Sequence, residues 1–148
     1  MESALKTVRE SFSEDHISRA AVDEGGTVLG WIGGMGSYGG NVWELHPLVV
    51  RRDLQRRGIG GALVADLEEC VRERCGYTLW LGTDDENGMT TLSGVDLYPN
   101  VLKHLASIKD LRGHPYEFYQ KLGFSIIGAM PDPNGPGKPD IYMAKRCR

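Results

Sequence analysis

A strand with a proline in its middle, running directly into a glycine turn, sets the strongest limit on how this chain folds. Residues 43–61 read WELHPLVVRRDLQRRGIGG. The apolar alternation over 42–50 predicts a strand, and a period of two puts Glu44, His46 and Leu48 on one face, with Trp43, Leu45 and Val49 on the other. Pro47 has no N–H to give a ladder, so the strand is expected to bulge or splay there. The glycines that follow open a helix, whose first N–H groups have no partner of their own and favour anions. Arg51, Arg52, Arg56 and Arg57 crowd the same turn. One short segment thus offers an anion cradle beside two ionisable groups, Glu44 and His46.

The rest of the chain fits around that segment. Residues 1–18 are polar and weakly helical, with Leu5, Val8 and Phe12 forming a narrow apolar stripe. Strands at 19–24 and 27–36 flank Gly25-Gly26, which suits a tight hairpin turn. Residues 37–41 form a glycine-containing loop carrying Tyr38. The helix over 61–74 turns Leu63, Val64, Leu67 and Val71 inward and pairs Glu68 with Arg72 outside. Gly76 is expected to cap it. A strand over 77–83 leads to a loop rich in carboxylates (Asp84, Asp85, Glu86, Asp96). A helix over 99–109 is expected to bury Leu102, Leu105 and Ile108. His114-Pro115 opens a short helix to Leu122 that Gly123 ends. Strands at 124–129 and 140–145 close the chain around a loop of proline and glycine. Strands interleaved with helices and two hairpins predict an α/β layered domain with a mixed, mostly antiparallel sheet.

Length and composition exclude several classes. A chain of 148 residues suits a single domain spanning 1–148. A net charge of -3 argues against a nucleic-acid partner, which draws a basic excess. No apolar run reaches the roughly 18 residues of a membrane span. The start of the chain has neither the basic opening nor the apolar core of a signal peptide. Cys70, Cys75 and Cys147 fall in no metal or disulfide spacing, so reduced thiols and a cytoplasmic location are expected. No metal site is expected.

Each candidate has an ordinary alternative. Glu44 could lie on a solvated strand face, His46 could be a structural hydrogen-bonding residue, and Tyr119 could fill the core beside Tyr116 and Phe118. The carboxylates after residue 83 could be a polar loop. The glycine turn lacks the Gly-Lys-Ser/Thr of a nucleotide triphosphate loop, and it lacks the third glycine and ribose acid of a dinucleotide fold.

The pattern Q-x-x-G-x-G at residues 55–60 between strand and helix resembles the acetyl-CoA loop of the GNAT N-acetyltransferase superfamily. More narrowly, WELHPLVV at 43–50, LGTDDE at 81–86, TTLSGVDLY at 90–98, HPYEFYQKLGF at 114–124 and KPDIYMAK at 138–145 resemble the aminoglycoside 6'-N-acetyltransferases. The resemblance covers residue 19 to the end. It implies a GNAT-like acyl-CoA N-acyltransferase fold, splayed at strand 42–50, with acetyl-CoA as co-substrate and no metal. It further implies that Gln55, Arg56, Arg57, Gly58, Ile59, Gly60 and Gly61 hold the pyrophosphate, and that the backbone of Leu48, Val49 and Val50 meets the pantetheine arm. Glu44 would be the acid/base residue with His46 beside it, Leu48 would face the oxyanion, and Tyr119 would stand at the thioester sulfur. Read from the residues themselves, Asp84, Asp85 and Glu86, with Asp96, would attract a polycationic acceptor by long-range steering, and Tyr38 would line its pocket with Glu44 and His46. Only about eighteen residues precede the hairpin, so the first strand of the family is expected to be missing, and a partner subunit in a homodimer would cover the edge.

These roles agree with elementary chemistry. Aminolysis of a thioester needs a neutral amine, a stabilised oxyanion and a protonated or hydrogen-bonded sulfur. A carboxylate can take the amine proton, an N–H can face the oxyanion, and a phenol can serve the sulfur. The expected reaction is direct acetylation of the 6'-amine of an aminoglycoside, giving antibiotic resistance. The alternatives are a polyamine, a small cationic metabolite or a protein amine as acceptor, or an acyl-CoA-binding module without catalysis.

Overall fold

In a computed structural model the chain is described from residue 15 to residue 148. The stripe of Leu5, Val8 and Phe12 lies outside the described residues. Six strands hydrogen-bond in the order β1-β2-β3-β4-β6-β5. The described residues divide into two compact units, residues 15–79 with 146–148, and residues 80–145.

In the first unit β1 (His16–Val22), β2 (Val28–Ser37) and β3 (Val42–Val50) form an antiparallel meander. The turn between β1 and β2 is held by Asp23, whose Oδ1 accepts the N–H groups of Gly25 and Thr27. Asp23 and Glu24 therefore belong to the turn and not to the strand over 19–24 expected from their neighbours. Helix α1 (Ile59–Glu73) lies on this meander and buries Leu63, Val64, Leu67 and Val71, the stripe that its periodicity predicts. Burying each of those side chains is worth roughly 1.5–3 kcal/mol. Strand β2 makes room for the helix with glycine. A Cβ at Gly30 would stand 3.0 Å from Cδ1 of Leu63, and one at Gly34 2.8 Å from Cδ1 of Leu67. Outside, Arg72 pairs with Glu68 as expected, and Arg19 of β1 makes a bidentate pair with Asp66 of α1.

The end of α1 corrects an expectation. Cys75, not Gly76, takes the left-handed position, with φ 62°. The N–H of Cys75 bonds back to Arg72 and that of Gly76 to Val71, the pattern of a Schellman cap. Gly76 is required for space: a Cβ there would lie 2.6 Å from Cγ1 of Val71.

In the second unit β4 (Thr78–Asp84, which begins in the first), α2 (Val101–Ala106), α3 (Tyr116–Lys121), β5 (Ser125–Met130) and β6 (Asp140–Arg146) follow in turn, with β5 and β6 antiparallel. Its core includes Leu81, Leu92, Leu97, Phe124, Ile141 and Met143. Helix α2 is shorter than the 99–109 expected, and Leu102 is 77% exposed. Leu105 and Ile108 are partly buried as expected, and Val101 and His104 are partly buried where Leu102 is not. Over six residues the apolar spacing is too brief to define a face. Helix α3 ends as expected on Gly123, φ 91°, with Phe124 bonding back to Tyr119.

Candidate active site

The bulge expected at Pro47 is present. Ile32 pairs with Leu48 and Gly34 with Leu45, so Gly33 alone faces both His46 and Pro47. The two backbones approach closely there, and a Cβ on Gly33 would fall 2.4 Å from the carbonyl oxygen of His46. The extra residue also reverses the alternation of β3. Before the bulge Trp43 and Leu45 are buried; after it Val49 is 53% exposed while Leu48 and Val50 are half-buried. In the register, Trp43, Leu45, Leu48 and Val50 lie opposite Gly36, Gly34, Ile32 and Gly30, the β2 positions whose face receives α1. Glu44 and Val49 lie opposite Met35 and Trp31, on the other face. A simple period of two had placed Leu48 with Glu44 and Val49 with Trp43. The bulge overturns both, and brings only the backbone of Leu48 near the break.

Glu44 is half-buried and His46 exposed on β3. Among the described residues no hydrogen bond or ion pair takes up the Glu44 carboxylate, which leaves it available to a cation. Tyr38 sits in the short 3-10 turn before β3, at φ 50° and 80% exposed.

Past β3 the chain makes one 3-10 turn and then enters α1 through Gln55–Gly61. Arg51 is occupied by Asp53 at 2.8 Å; Arg52, Arg56 and Arg57 are exposed. The Gln55 side-chain amide donates to the carbonyl of Val50, tying the turn to the end of the strand. Left-handed backbone at Arg56 (φ 61°) and Gly58 (φ 84°) bends the chain into the helix. No side chain caps α1, and its first closed bond is Ala62 N–H to Gly58. The N–H groups of Ile59, Gly60 and Gly61 are therefore the open donors of a helix N-terminus with cationic side chains around it, an arrangement that fits a pyrophosphate.

In the second unit the carboxylate loop is not uniform. Asp85 is fully buried; its oxygens accept the N–H groups of Met89 (2.8 Å) and Thr90 (2.7 Å), and its own N–H bonds to Pro139. Both oxygens are spent on the loop's own backbone, so Asp85 is removed from the set that could meet an acceptor. Asp84 is exposed and accepts from the side-chain amide of Asn134. Glu86 and Asp96 are also exposed. Tyr119 is 8% exposed, edge-on to Phe118 and Phe124, and burial pushes its phenol up to about 12. The residue that sequence reasoning missed is His114, read only as the opening of a helix. It bonds to the carbonyl of Asp84 and to the N–H of Tyr116 at the head of α3. Among the described residues no cluster of three His, Cys, Asp or Glu side chains could hold a metal, and no helix is long and apolar enough to cross a membrane.

Comparison with known proteins defines the class. The family model for the acetyltransferase (GNAT) family matches residues 2–90. The chain belongs to that family. It is 47% identical to an aminoglycoside 6'-N-acetyltransferase solved with coenzyme A, over 100% of this chain and 82% of that one, with a TM-score of 0.95. It is equally 47% identical to the aminoglycoside 6'-N-acetyltransferase from Enterococcus faecium, over 99% and 81%, TM-score 0.94. An aminoglycoside 6'-acetyltransferase of type Ii is 39% identical over 99% and 79%, TM-score 0.74. No curated protein is significantly similar in sequence.

Proposed function

We propose that this protein transfers the acetyl group of acetyl-CoA to the 6'-amino group of aminoglycosides. The observation that carries this reading is identity of 47% along the whole chain with aminoglycoside 6'-N-acetyltransferases, one of them solved with coenzyme A. Residues 1–148 act as one acetyltransferase domain. Bound acetyl-CoA supplies an activated thioester carbonyl. The open N–H groups of Ile59, Gly60 and Gly61, with Arg56, Arg57 and the turn at Gly58, hold its pyrophosphate, Gln55 braces the turn, and backbone groups of Leu48, Val49 and Val50 align the arm that leads to the thioester. Glu44 attracts the cationic amine and takes its proton, directly or through water, with His46 beside it. A backbone N–H next to the bulge, at Leu48, faces the developing oxyanion.

Tyr119 serves the sulfur by donating a hydrogen bond. With its phenol raised to about 12 it is a far weaker acid than a thiol near 8.5, so it does not give up the proton. Exposed Asp84, with Glu86 and Asp96, draws a polycation toward the protein, and Tyr38 offers an aromatic surface at the head of β3. Acetylation turns an ammonium into a neutral amide, removing one positive charge from the polycationic antibiotic, and we read this as the basis of resistance. Acetyl-CoA as donor places the work in the cytoplasm. A homodimer would cover β1, the strand at one end of the sheet.

Thiol release from acetyl-CoA by the purified protein tests the reading. Release is expected with an aminoglycoside bearing a 6'-amine and is expected to vanish when that position carries a hydroxyl. Turnover no faster than with a simple diamine would reassign the acceptor to polyamines or other small cations. Acetyl-CoA binding without any acceptor-dependent release would leave a binding module.

A further inference from the structure

His114 is a buried polar residue of the second unit with both ring nitrogens engaged. It is 2% exposed. Nε2 lies 3.0 Å from the carbonyl oxygen of Asp84, and Nδ1 lies 3.1 Å from the backbone nitrogen of Tyr116. A carbonyl only accepts and a backbone N–H only donates, so Nε2 carries the proton and Nδ1 is bare. The ring is neutral and confined to one tautomer. Asp110 sets its backbone, accepting the N–H groups of Gly113 and His114 at 2.9 and 2.8 Å. The imidazole thus joins the end of β4, where the exposed Asp84 projects, to the first residue of α3, three positions before Tyr119. Filling the space would need only an apolar ring; directing both nitrogens needs histidine.

We propose that His114 is a positioning residue for acetyl transfer: Nε2–H holds the strand end that presents Asp84 to the acceptor, and Nδ1 holds the helix that presents Tyr119 to the thioester. This rests on the function proposed above. The two halves of the ring can be tested apart. In His114→Asn the side-chain oxygen replaces Nδ1 and accepts the Tyr116 N–H as an Asx turn, but the side chain is too short for Asp84. In His114→Gln the amide replaces Nε2 and reaches Asp84, while the Tyr116 N–H loses its acceptor. His114→Asn is expected to raise the KM for the aminoglycoside about tenfold, the scale of one lost supporting hydrogen bond, and to leave kcat within about twofold. His114→Gln is expected to lower kcat about tenfold and to keep that KM.

Parallel changes in kcat and KM in both variants, tracking loss of melting temperature, would overturn the inference, as would no change in either. A wild-type measurement covers the case in which the variants do not fold. The Nε2–H resonance of His114 is expected to shift when a kanamycin-class aminoglycoside is added to the enzyme saturated with coenzyme A, which cannot react; a fixed resonance overturns the proposal. Wild-type protein that turns over no aminoglycoside sinks the functional reading and this one together, whereas an active wild type without the split sinks only the role of His114.

Discussion

Glu44 and Asp85 both lie in or just past an apolar strand, and the structure uses the two carboxylates in opposite ways. Asp85 follows β4 where the chain folds back, so the N–H groups of Met89 and Thr90 converge on its short side chain and bury it. Glu44 stands in mid-strand, where the backbone N–H groups belong to the ladder and its longer side chain projects from the sheet. The difference teaches that a carboxylate's task depends on whether spare backbone donors lie within its reach. Asp85 builds its unit; the Glu44 carboxylate is left unengaged.

The comparison can be broken most severely at Asp85. Asp85→Ala leaves the buried N–H of Thr90 and the part-buried N–H of Met89 without acceptors and is expected to cost about 3 kcal/mol, read as a lowered urea midpoint. Glu44→Gln should leave that midpoint unchanged while kcat/KM falls about 100-fold, the scale of a lost general base. Undiminished turnover in this variant would take Glu44 out of the role. Gly33→Ala probes the strand beneath Glu44. Its Cβ would press on the His46 carbonyl, with an expected cost of about 2 kcal/mol and a loss of activity larger than stability alone explains.

Smaller effects sharpen the contrast between backbone-engaged and unengaged groups. Cys75→Gly relieves a left-handed cysteine and is expected to stabilise by about 0.5–1 kcal/mol, a rise in melting temperature of a few degrees. Asp110 is a milder counterpart of Asp85. The N–H of His114, then those of Arg112 and Gly113, hold its carboxyl below the usual value. A depressed carboxyl contributes stability that is present above its unfolded value and lost as pH falls through its folded one. Unfolding of wild type and Asp110→Ala at a series of pH values should therefore show a gap at neutrality that closes below about pH 4.

Much of this was legible in the chain because it depends on local rules. The stripe of α1 follows from a period of 3.6 over four turns, and the bulge from a proline without an N–H. The cap at Gly123 follows from tolerance of positive φ. Legibility failed where signals were short or where two positions competed. Six residues of α2 could not fix a face, so Leu102 was assigned inward. At the end of α1 conformational preference points to glycine, yet Gly76 serves the close approach to Val71 and Trp43 while Cys75 takes the left-handed place. Among the candidate site residues, Glu44 and the glycine turn stand out by pattern. His114 does not, since its hydrogen bond reaches Asp84, thirty positions earlier in the chain.

The sequence by itself determined the order of strands and helices, the break in β3 and the open helix N-terminus, because each is set by bonding capacity and apolar spacing within a few residues. Only the tertiary structure decided which face Leu48 and Val49 occupy, which carboxylate of the loop is spent internally, and what His114 connects. Those outcomes depend on the register between strands and on hydrogen-bond partners far apart in the chain, and a linear pattern carries neither.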